Sequence, residues 1–82
     1  MTNVNLIGQI KKVENKTYLE VSRIYKNRDG FFEKDLIPVI YWTKNEQNNL
    51  SYLIENTRVF IKGRLECLHN NLIVVVEEFV PL

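Results

Sequence analysis

Five short stretches of this chain are rich in the β-formers Val, Ile, Tyr, Phe and Thr, and several of them alternate apolar with polar residues, which is the two-residue period of a β-strand with one buried face. Turn-forming residues, such as the Asp29–Gly30 pair, separate these stretches. Alanine, the best helix former, is absent from the sequence, which argues against a helical bundle. The pattern therefore predicts an all-β chain. The predicted strands are Val4–Lys12, Thr17–Tyr25, Phe31–Trp42, Arg58–Leu68 and Leu72–Phe79.

Three polar turns and one glycine refine this prediction. The turns Glu14–Lys16, Asn27–Gly30 and His69–Asn71 contain residues that tolerate left-handed backbone. Gly8 stands in the first strand at a position where the alternation predicts an inward side chain. A glycine there indicates a bulge or a tight bend, which small barrels need.

The segment between the third and fourth strands has a different period. Leu50, Leu53 and Ile54 lie at helical spacing after a polar run, so we predict one short helix within Lys44–Ile54. The resulting order β-β-β-α-β-β is that of an OB-fold, a five-stranded barrel with a helix between strands three and four. We therefore predict a single OB-fold domain over residues 1–82.

The small size of the domain favours an oligomer. A chain of 82 residues buries only about 60–65% of its unfolded surface, and oligomerisation is one route to more buried area. Leu36–Trp42 is apolar on both faces, as expected of a strand covered by the core on one side and by a second copy on the other. We therefore expect a homodimer or a homotetramer.

The location of the protein is predicted from three features. Cys67 is the only cysteine, so no disulfide forms within the chain, and a lone thiol suits a reducing cytoplasm. We expect its side chain to be buried or half-buried. Met1–Asn5 is polar and gives no sign of a signal peptide, and the apolar run Leu72–Val76 is too short to span a membrane. The sequence predicts a cytoplasmic protein with no membrane partner.

Net charge is +1, from 11 basic and 10 acidic residues, whereas nucleic-acid-binding domains usually carry a clear basic excess. The charges are unevenly distributed, because the acidic residues between Arg23 and Lys34 are outnumbered by basic ones. The basic residues around the predicted second hairpin are Arg23, Lys26, Arg28 and Lys34.

Four stretches of the sequence resemble the bacterial single-stranded-DNA-binding protein (SSB) family. Asn3–Ile10 resembles the first strand of that family, and Lys34–Lys44 resembles the third strand and its exit toward the helix. Tyr52–Leu53 resembles the end of the helix, Val59–Leu65 resembles the fourth strand, and Val74–Val80 resembles the last strand. The resemblance covers nearly the whole chain. It implies an OB-fold that binds single-stranded DNA (ssDNA).

Several departures from the family pattern are visible. Lys11–Lys16 is shorter than the family usually has there, and the loop between strands four and five shrinks to His69–Asn71. The family's linker and acidic C-terminal tip have no counterpart before Leu82, so the resemblance does not extend to recruitment of partners through a tail. In its short length and lack of a tail, the chain is more similar to the primosomal replication protein N family, a structural relative of the SSB family. That resemblance implies a dimer and replication proteins, such as a helicase, as further partners.

Binding of ssDNA without sequence preference requires aromatic faces for base stacking and cations along the phosphates. The resemblance places Tyr25 and Trp42 at stacking positions. A third such position falls near Leu36, which stacks poorly, and Phe31 and Phe32 are close enough to substitute. Other roles compete with stacking, because Trp42 also suits a core or an interface.

The alternation predicts inward positions for some of these aromatic residues, whereas base stacking requires exposed ones. Tyr25 shares strand parity with inward-facing residues, so it faces inward unless the strand is bulged or projects beyond the barrel. Phe31 and Phe32 are adjacent and should lie on opposite faces, one of them in the core. The basic residues predicted to extend the phosphate track are Lys44, Lys62 and Arg64. For any single cation, an ordinary solvated surface position is the competing interpretation.

No residue pattern predicts catalysis. His69 is the only histidine and Cys67 has no basic neighbour in sequence, so no nucleophile–base pair, metal-ligand spacing or glycine-rich phosphate loop is present. We predict a non-enzymatic protein without metal or cofactor. Two hypotheses remain: an ssDNA-binding module, and an OB-fold protein adaptor with weak or no DNA binding. A cold-shock-like RNA-binding domain ranks last, because that fold lacks the helix.

Overall fold

The computed structural model of the protein describes residues 2–41 and 50–82. Five β-strands and one short helix make up the described chain, and the strand predictions are confirmed to within a few residues. The elements are β1 (Asn3–Val13), β2 (Lys16–Lys26), β3 (Phe32–Ile40), a 3-10 helix (Leu50–Tyr52), β4 (Arg58–Leu68) and β5 (Asn71–Pro81).

The strands close into a barrel in the order β1-β2-β3-β5-β4. All neighbouring strands are antiparallel except β3 and β5, which pair in parallel at Val39↔Val74 and Ile40↔Val75. β1 pairs first with β4 and then with β2 along its length. Its first part pairs with β4 up to Gln9↔Arg58, and its last part pairs with β2 from Gln9↔Glu20 onward. This transfer of one strand between two partners closes a sheet of only five strands.

The barrel interior is filled by aliphatic side chains, as the alternation predicted. Every strand contributes to this core, and Leu50 of the 3-10 helix closes it. No polar side chain is buried among the residues that the structure describes. The fully buried core residues are Ile10, Leu19, Leu50, Val59, Ile61 and Val74.

Two glycines allow backbones to approach closely where the barrel bends. A Cβ atom at Gly8 would lie 2.3 Å from the carbonyl oxygen of Glu20, which confirms the inward position predicted for this residue. A Cβ atom at Gly63 would lie 2.3 Å from the carbonyl oxygen of Val75. Gly63 stands at a register shift between β4 and β5. Any side chain at either position would therefore push two strands apart.

The three predicted turns are present, and their residues adopt the left-handed backbone conformation. Glu14 and Asn15, and likewise His69 and Asn70, have positive φ values of 49°, 65°, 51° and 66°. Such pairs form the two-residue hairpin turns whose twist matches antiparallel strands. In the third turn, Gly30 supplies the left-handed residue at φ 84°.

The helical element and Cys67 both differ in detail from the sequence-based expectation. The predicted helical element between strands three and four is present as the 3-10 helix, and the predicted range before Leu50 lies outside the described residues. The expectation for Cys67 is wrong, because its side chain is exposed. Cys67 shares the inward parity of Ile61 and Leu65, but it lies near the hairpin end of β4, where no other described strand covers that side.

Candidate nucleic-acid interface

The hairpin of β2 and β3 extends beyond the barrel. β1 pairs with β2 only as far as Glu20, and β5 meets β3 at Val39 and Ile40. We call the remaining segment, Ser22–Lys34, the β2–β3 ribbon. Within it every side chain is exposed except those of Arg23 and Asn27, which are half-buried. The ribbon therefore presents both of its faces to solvent.

Three aromatic side chains are displayed on this ribbon. Tyr25, Phe31 and Phe32 have exposed fractions of 62%, 69% and 54%. The expectation that Phe31 or Phe32 lies in the core is wrong, because Phe31 belongs to the turn and Phe32 begins β3 outside the barrel. All three rings are accessible to a ligand.

The exposure of Tyr25 has the structural cause that the sequence left open. The β2–β3 register is regular up to Ser22↔Lys34 and resumes at Lys26↔Phe32. Between these pairs, three residues of β2 stand opposite Glu33 alone. This irregularity and the projection of the ribbon turn Tyr25 away from the core despite its inward parity. The adjacent Ile24 is 95% exposed, which the sequence analysis missed because a β-branched residue in a strand is usually packed.

Three of the predicted cations accompany the rings. Lys26 Nζ lies 5.8 Å from the centroid of the Phe32 ring, a cation–π arrangement. Arg28 is exposed in the turn. Lys34 Nζ lies 3.4 Å from Glu20 Oε1 on the outer face of the ribbon, and its side chain remains mostly exposed. The ribbon thus interleaves aromatic faces with positive charge.

Arg23, the fourth predicted cation of this region, is occupied by carboxylates. Its Nε and Nη2 atoms donate to Asp35 Oδ2 and Oδ1 at 3.0 and 2.8 Å, and Nη1 donates to Glu33 Oε2 at 2.5 Å. The hydrogen bonds and the charge of Asp35 raise the pKa of the Arg23 guanidinium. In return, the hydrogen bonds from Arg23 lower the pKa of Asp35 below its ordinary value.

The other predicted site residues are not brought to the ribbon. Lys62 and Arg64 lie on the outer face of β4, which is separated from β2 by β1 and from β3 by β5. Arg64 Nε donates to Glu66 Oε2 at 2.5 Å, so its charge is locally balanced. Trp42 and Lys44 lie outside the described residues.

A cleft of about 730 Å³, which we call the outer cleft, lies beside the start of β2 and the end of β3, and the sequence analysis did not identify it. Its size falls within the roughly 300–1,000 Å³ of typical ligand clefts. The β1–β2 turn, the end of β3, the start of the 3-10 helix and the β4–β5 hairpin end form its walls. The alternation along each strand predicts that Tyr18 and Pro38 point outward. It does not predict that they are neighbours, because their pairing depends on the register between β2 and β3. The lining includes Lys16, Tyr18, Pro38, Ile40, His69 and Leu72.

The outer face of β2 and β3 connects the ribbon with this cleft. Side chains alternate along a strand, so the paired residues Lys26↔Phe32, Ser22↔Lys34, Glu20↔Leu36 and Tyr18↔Pro38 lie on one face. Leu36, at the third stacking position implied by the SSB resemblance, is 51% exposed on this face. A continuous surface therefore runs from the ribbon end to the cleft.

The described residues contain neither a candidate metal site nor a membrane-spanning helix. Within residues 2–41 and 50–82, no three His, Cys, Asp or Glu side chains are grouped so that they could hold a metal ion. None of the described helices has the length and apolar character needed to cross a membrane.

Comparison with known proteins shows the fold. No protein-family model matches the sequence, and no curated protein sequence matches it. The dimeric N-terminal domain of the PriB protein from Thermoanaerobacter tencongensis is similar in structure, with a TM-score of 0.60 and 17% identity, over 99% of this chain and 96% of that one. A chain of a replication protein A heterotrimer bound to ssDNA is also similar. Its TM-score is 0.56 at 16% identity, over 100% of this chain and 58% of that one.

The two similar structures agree with the barrel described above, a closed sheet of five strands with a short helical turn between β3 and β4. The predicted OB-fold is therefore confirmed. At such low sequence identity, the similarity concerns the fold and does not assign individual binding residues.

Proposed function

We propose that this protein binds ssDNA without sequence preference, in DNA replication, recombination or repair. The observation that carries the proposal is the exposed set of rings on the β2–β3 ribbon, Tyr25, Phe31 and Phe32, interleaved with Lys26 and Arg28. Every base has a π-face, so exposed rings bind single strands with little regard to sequence. Duplex DNA keeps its bases stacked on one another and offers no comparable partner to these rings.

The proposed path of the strand follows the outer face of β2 and β3. Bases stack on the ribbon rings, the phosphates pass Lys26 and Lys34, and the strand continues over Leu36 into the outer cleft. Tyr18 in that cleft offers another ring, and Lys16 another cation. The opposite, inner side carries Glu33 on the ribbon and Asp35 at the barrel, and these carboxylates are unfavourable neighbours for phosphate.

The charge of the site predicts a modest dependence on salt. Arg23 is neutralised by two carboxylates, and Glu20 approaches Lys34. The cations that remain on the ribbon are Lys26, Arg28 and Lys34. Each phosphate neutralised on a single strand contributes about −0.7 to the slope of log K against log salt. We therefore expect a slope of roughly −2 per protomer, with most of the affinity coming from stacking.

The comparisons and the resemblance support the same function. One structural neighbour is a replication protein A heterotrimer described as bound to ssDNA. The PriB domain is described as dimeric. The resemblance of this chain to the SSB family points in the same direction, and it makes other replication proteins reasonable partners.

We also propose that the protein acts as a homodimer or a homotetramer. Ile7, Phe60 and Val80 form one row across β1, β4 and β5 on the outer surface. Ile7 and Val80 are 51% and 54% exposed, and apolar rows of this kind often mark interfaces between subunits. Within the described chain, the part of β1 before Gln9 pairs with β4 alone. Its other edge is therefore open to a second copy.

The structure gives a different reason for the two-sided apolar character of the described part of this segment, Leu36–Tyr41. The half-buried residues Pro38 and Ile40 line the outer cleft, and Val39 between them is buried in the core and also reaches the cleft wall. The oligomer proposal therefore rests on the row at Ile7 and on the β1 edge. Analytical ultracentrifugation at micromolar concentration tests it, and a monomer under all conditions would contradict it.

Titration of a fluorescently labelled oligo-dT with the protein tests DNA binding. We expect fluorescence anisotropy to rise with protein concentration at low salt and the affinity to fall at moderate salt. A labelled duplex of the same length is the control and should bind much more weakly. Trp42 is the only tryptophan, so quenching of its fluorescence by oligo-dT would place bases near it. A flat anisotropy signal at every salt concentration would exclude the proposal.

An OB-fold adaptor is the second candidate function. The nearly complete exposure of Ile24 favours it, because an aliphatic side chain cannot stack with bases as a ring does. Together with the three rings it forms an apolar ribbon end that a partner protein would cover. In that case the ribbon variants would lose a protein partner, and the oligo-dT titration would stay flat.

A further inference from the structure

A chain of polar side chains runs along the inner side of the β2–β3 ribbon, from the barrel to the turn. At the barrel, Asp35 stands opposite Val21 in the ladder. Arg23 joins Asp35 to Glu33 through three hydrogen bonds. Asn27 Nδ2 then donates to Glu33 Oε1 at 3.3 Å. These four side chains, Asp35, Arg23, Glu33 and Asn27, are called the ribbon network below.

The ribbon network ends on the backbone that carries the exposed rings. Asn27 Oδ1 accepts hydrogen bonds from the backbone N–H groups of Asp29 and Phe31, at 2.9 and 3.0 Å. The backbone N–H of Asn27 donates to the carbonyl oxygen of Phe31 at 2.7 Å. The position of Phe31 is therefore connected, through side chains alone, to a residue at the barrel.

The ribbon network spans the place where the backbone ladder is interrupted. Between Ser22↔Lys34 and Lys26↔Phe32 the regular pairing is lost, and a two-stranded ribbon without neighbours is weak by itself. Arg23 and Glu33 lie inside this interval. Tyr25 lies in the same interval. The side-chain contacts take over the role that backbone hydrogen bonds have in the rest of the hairpin.

From this arrangement we infer that Arg23 is a positioning residue, which holds the end of the ribbon and its rings in place, and does not bind phosphate. Three of its donor groups are already used by Asp35 and Glu33. Two of its five N–H donors remain, but a phosphate bound there would lie beside the two carboxylates that already balance the Arg23 charge. The role of Arg23 in DNA binding rests on the proposed function, whereas the ordering of the ribbon by Arg23 does not.

Asp35→Asn separates the two roles by the sign of its effect. The variant removes the negative charge of Asp35 and weakens its hydrogen bonds with Arg23, while the side chain keeps nearly the same shape. If Arg23 bound phosphate, this variant would release it and DNA would bind more tightly. As a positioning residue, Arg23 should lose its anchor, and oligo-dT should bind about three- to tenfold more weakly because the rings must be ordered on binding.

A matched control lies on the other side of the barrel. Glu66→Gln breaks the Arg64–Glu66 pair, whose side chains are 43% and 42% exposed, close to the 37% and 44% of Arg23 and Asp35. We expect no loss of affinity in this variant. Both variants should keep the thermal midpoint of the wild type, because exposed ion pairs contribute little to global stability.

The salt dependence and a double variant complete the binding test. The slope of log K against log salt should be the same in Arg23→Gln as in the wild type, whereas loss of a phosphate contact would reduce it by about 0.7. The charge-swapped variant R23D/D35R should recover affinity relative to either single change. Tighter binding by Asp35→Asn, a smaller slope in Arg23→Gln, or no recovery in R23D/D35R would overturn the inference.

Amide hydrogen exchange tests the inference without DNA. The Asn27 amide, bonded to Phe31, should exchange faster in Asp35→Asn than in the wild type or in Glu66→Gln, while core amides such as that of Leu19 stay protected. Equal exchange at Asn27 in all three proteins would overturn the inference. If the wild type fails to bind oligo-dT, the proposed function fails, and the exchange experiment still decides whether Arg23 orders the ribbon.

Discussion

The β2–β3 ribbon and the end of the β4–β5 hairpin are both exposed antiparallel pairs, but they are held together differently. We call the latter segment, Cys67–Leu72, the β4–β5 tip. Its ladder continues without interruption to Leu68↔Asn71, where His69 and Asn70 make a two-residue turn. The β2–β3 ribbon loses its ladder over three residues of β2 and ends in a longer turn.

The difference in construction matches a difference in what the two segments display. The β4–β5 tip contains no Lys, Arg or aromatic residue, and it serves as one wall of the outer cleft. The β2–β3 ribbon carries three exposed rings and three available cations. A continuous ladder directs side chains alternately to two fixed faces. An interrupted ladder can turn several side chains toward the same ligand, but it then needs side-chain contacts such as the ribbon network for rigidity.

The largest expected effect comes from removing the rings from the ribbon. In the triple variant Y25A/F31A/F32A, oligo-dT affinity should fall at least about 100-fold, because each base stack contributes about 1–3 kcal/mol. Thermal stability should change little, since the three rings are exposed. Fluorescence anisotropy and thermal unfolding measure the two quantities.

Tyr52 provides the control for this variant. It is 62% exposed, the same fraction as Tyr25, and it lies on the 3-10 helix away from the ribbon. Tyr52→Ala should bind oligo-dT like the wild type. Equal losses in Tyr52→Ala and Tyr25→Ala would mean that the ribbon has no special part in binding.

Two glycine substitutions should separate the scaffold from the ribbon by their effect on stability. Gly63→Ala forces a Cβ atom against the Val75 carbonyl oxygen, so the free energy of unfolding should fall by about 2–3 kcal/mol. At Gly30 nothing lies within 4 Å of a new Cβ atom, but φ is 84°, so Gly30→Ala should cost about 1 kcal/mol. Urea unfolding gives both values, and a larger loss at Gly30 than at Gly63 would contradict this comparison.

Charge removal should distinguish the ribbon from the outer face of β4. In the double variant K26Q/R28Q, the slope of log K against log salt should become smaller by about 1.4, because two phosphate contacts are lost. Lys62→Gln, on β4, should leave the slope unchanged. A decrease of about 0.7 in Lys62→Gln would show that the strand reaches the far side of the barrel, as the sequence analysis predicted.

The smallest expected effect is on the titration of Asp35. The hydrogen bonds from Arg23 hold the pKa of Asp35 below its ordinary value of 3.8. The pair should therefore stabilise the ribbon fully above that ordinary value and lose its effect as pH falls through the lowered pKa. NMR titration of the carboxyl group should show the lowered pKa in the wild type and a higher one in Arg23→Gln. An unchanged pKa in Arg23→Gln would exclude the pairing in solution.

Local patterns were sufficient to predict the strands and the fold class. The alternation of Leu19 with its polar neighbours, the turn residues at Glu14–Asn15 and His69–Asn70, and the inward Gly8 all match the structure. These features depend on backbone preferences and on a two-residue period, which neighbouring residues determine. The order of the predicted elements, β-β-β-α-β-β, indicated the OB-fold, which the structure and its neighbours confirm.

The exposure of individual side chains could not be predicted in the same way. Alternation assigns Tyr25, Cys67 and one of the two adjacent phenylalanines to an inner face, but it does not indicate whether another strand covers that face. Near the ends of the long hairpins no described strand does. Coverage depends on the register between strands distant in sequence, and each strand can extend past its neighbours without any change in its own pattern.

The sequence by itself determined five strands, their turns and an aliphatic interior, because these follow from residue preferences repeated along the chain. The tertiary structure decided which residues meet: that Arg23 is occupied by Asp35 and Glu33, that Lys62 and Arg64 lie on the other side of the barrel from the ribbon, and that Tyr18 and Pro38 line a cleft. Such pairings depend on strand order and register in three dimensions. They give rise to the candidate binding surface, whereas local chemistry gives rise to the barrel that supports it.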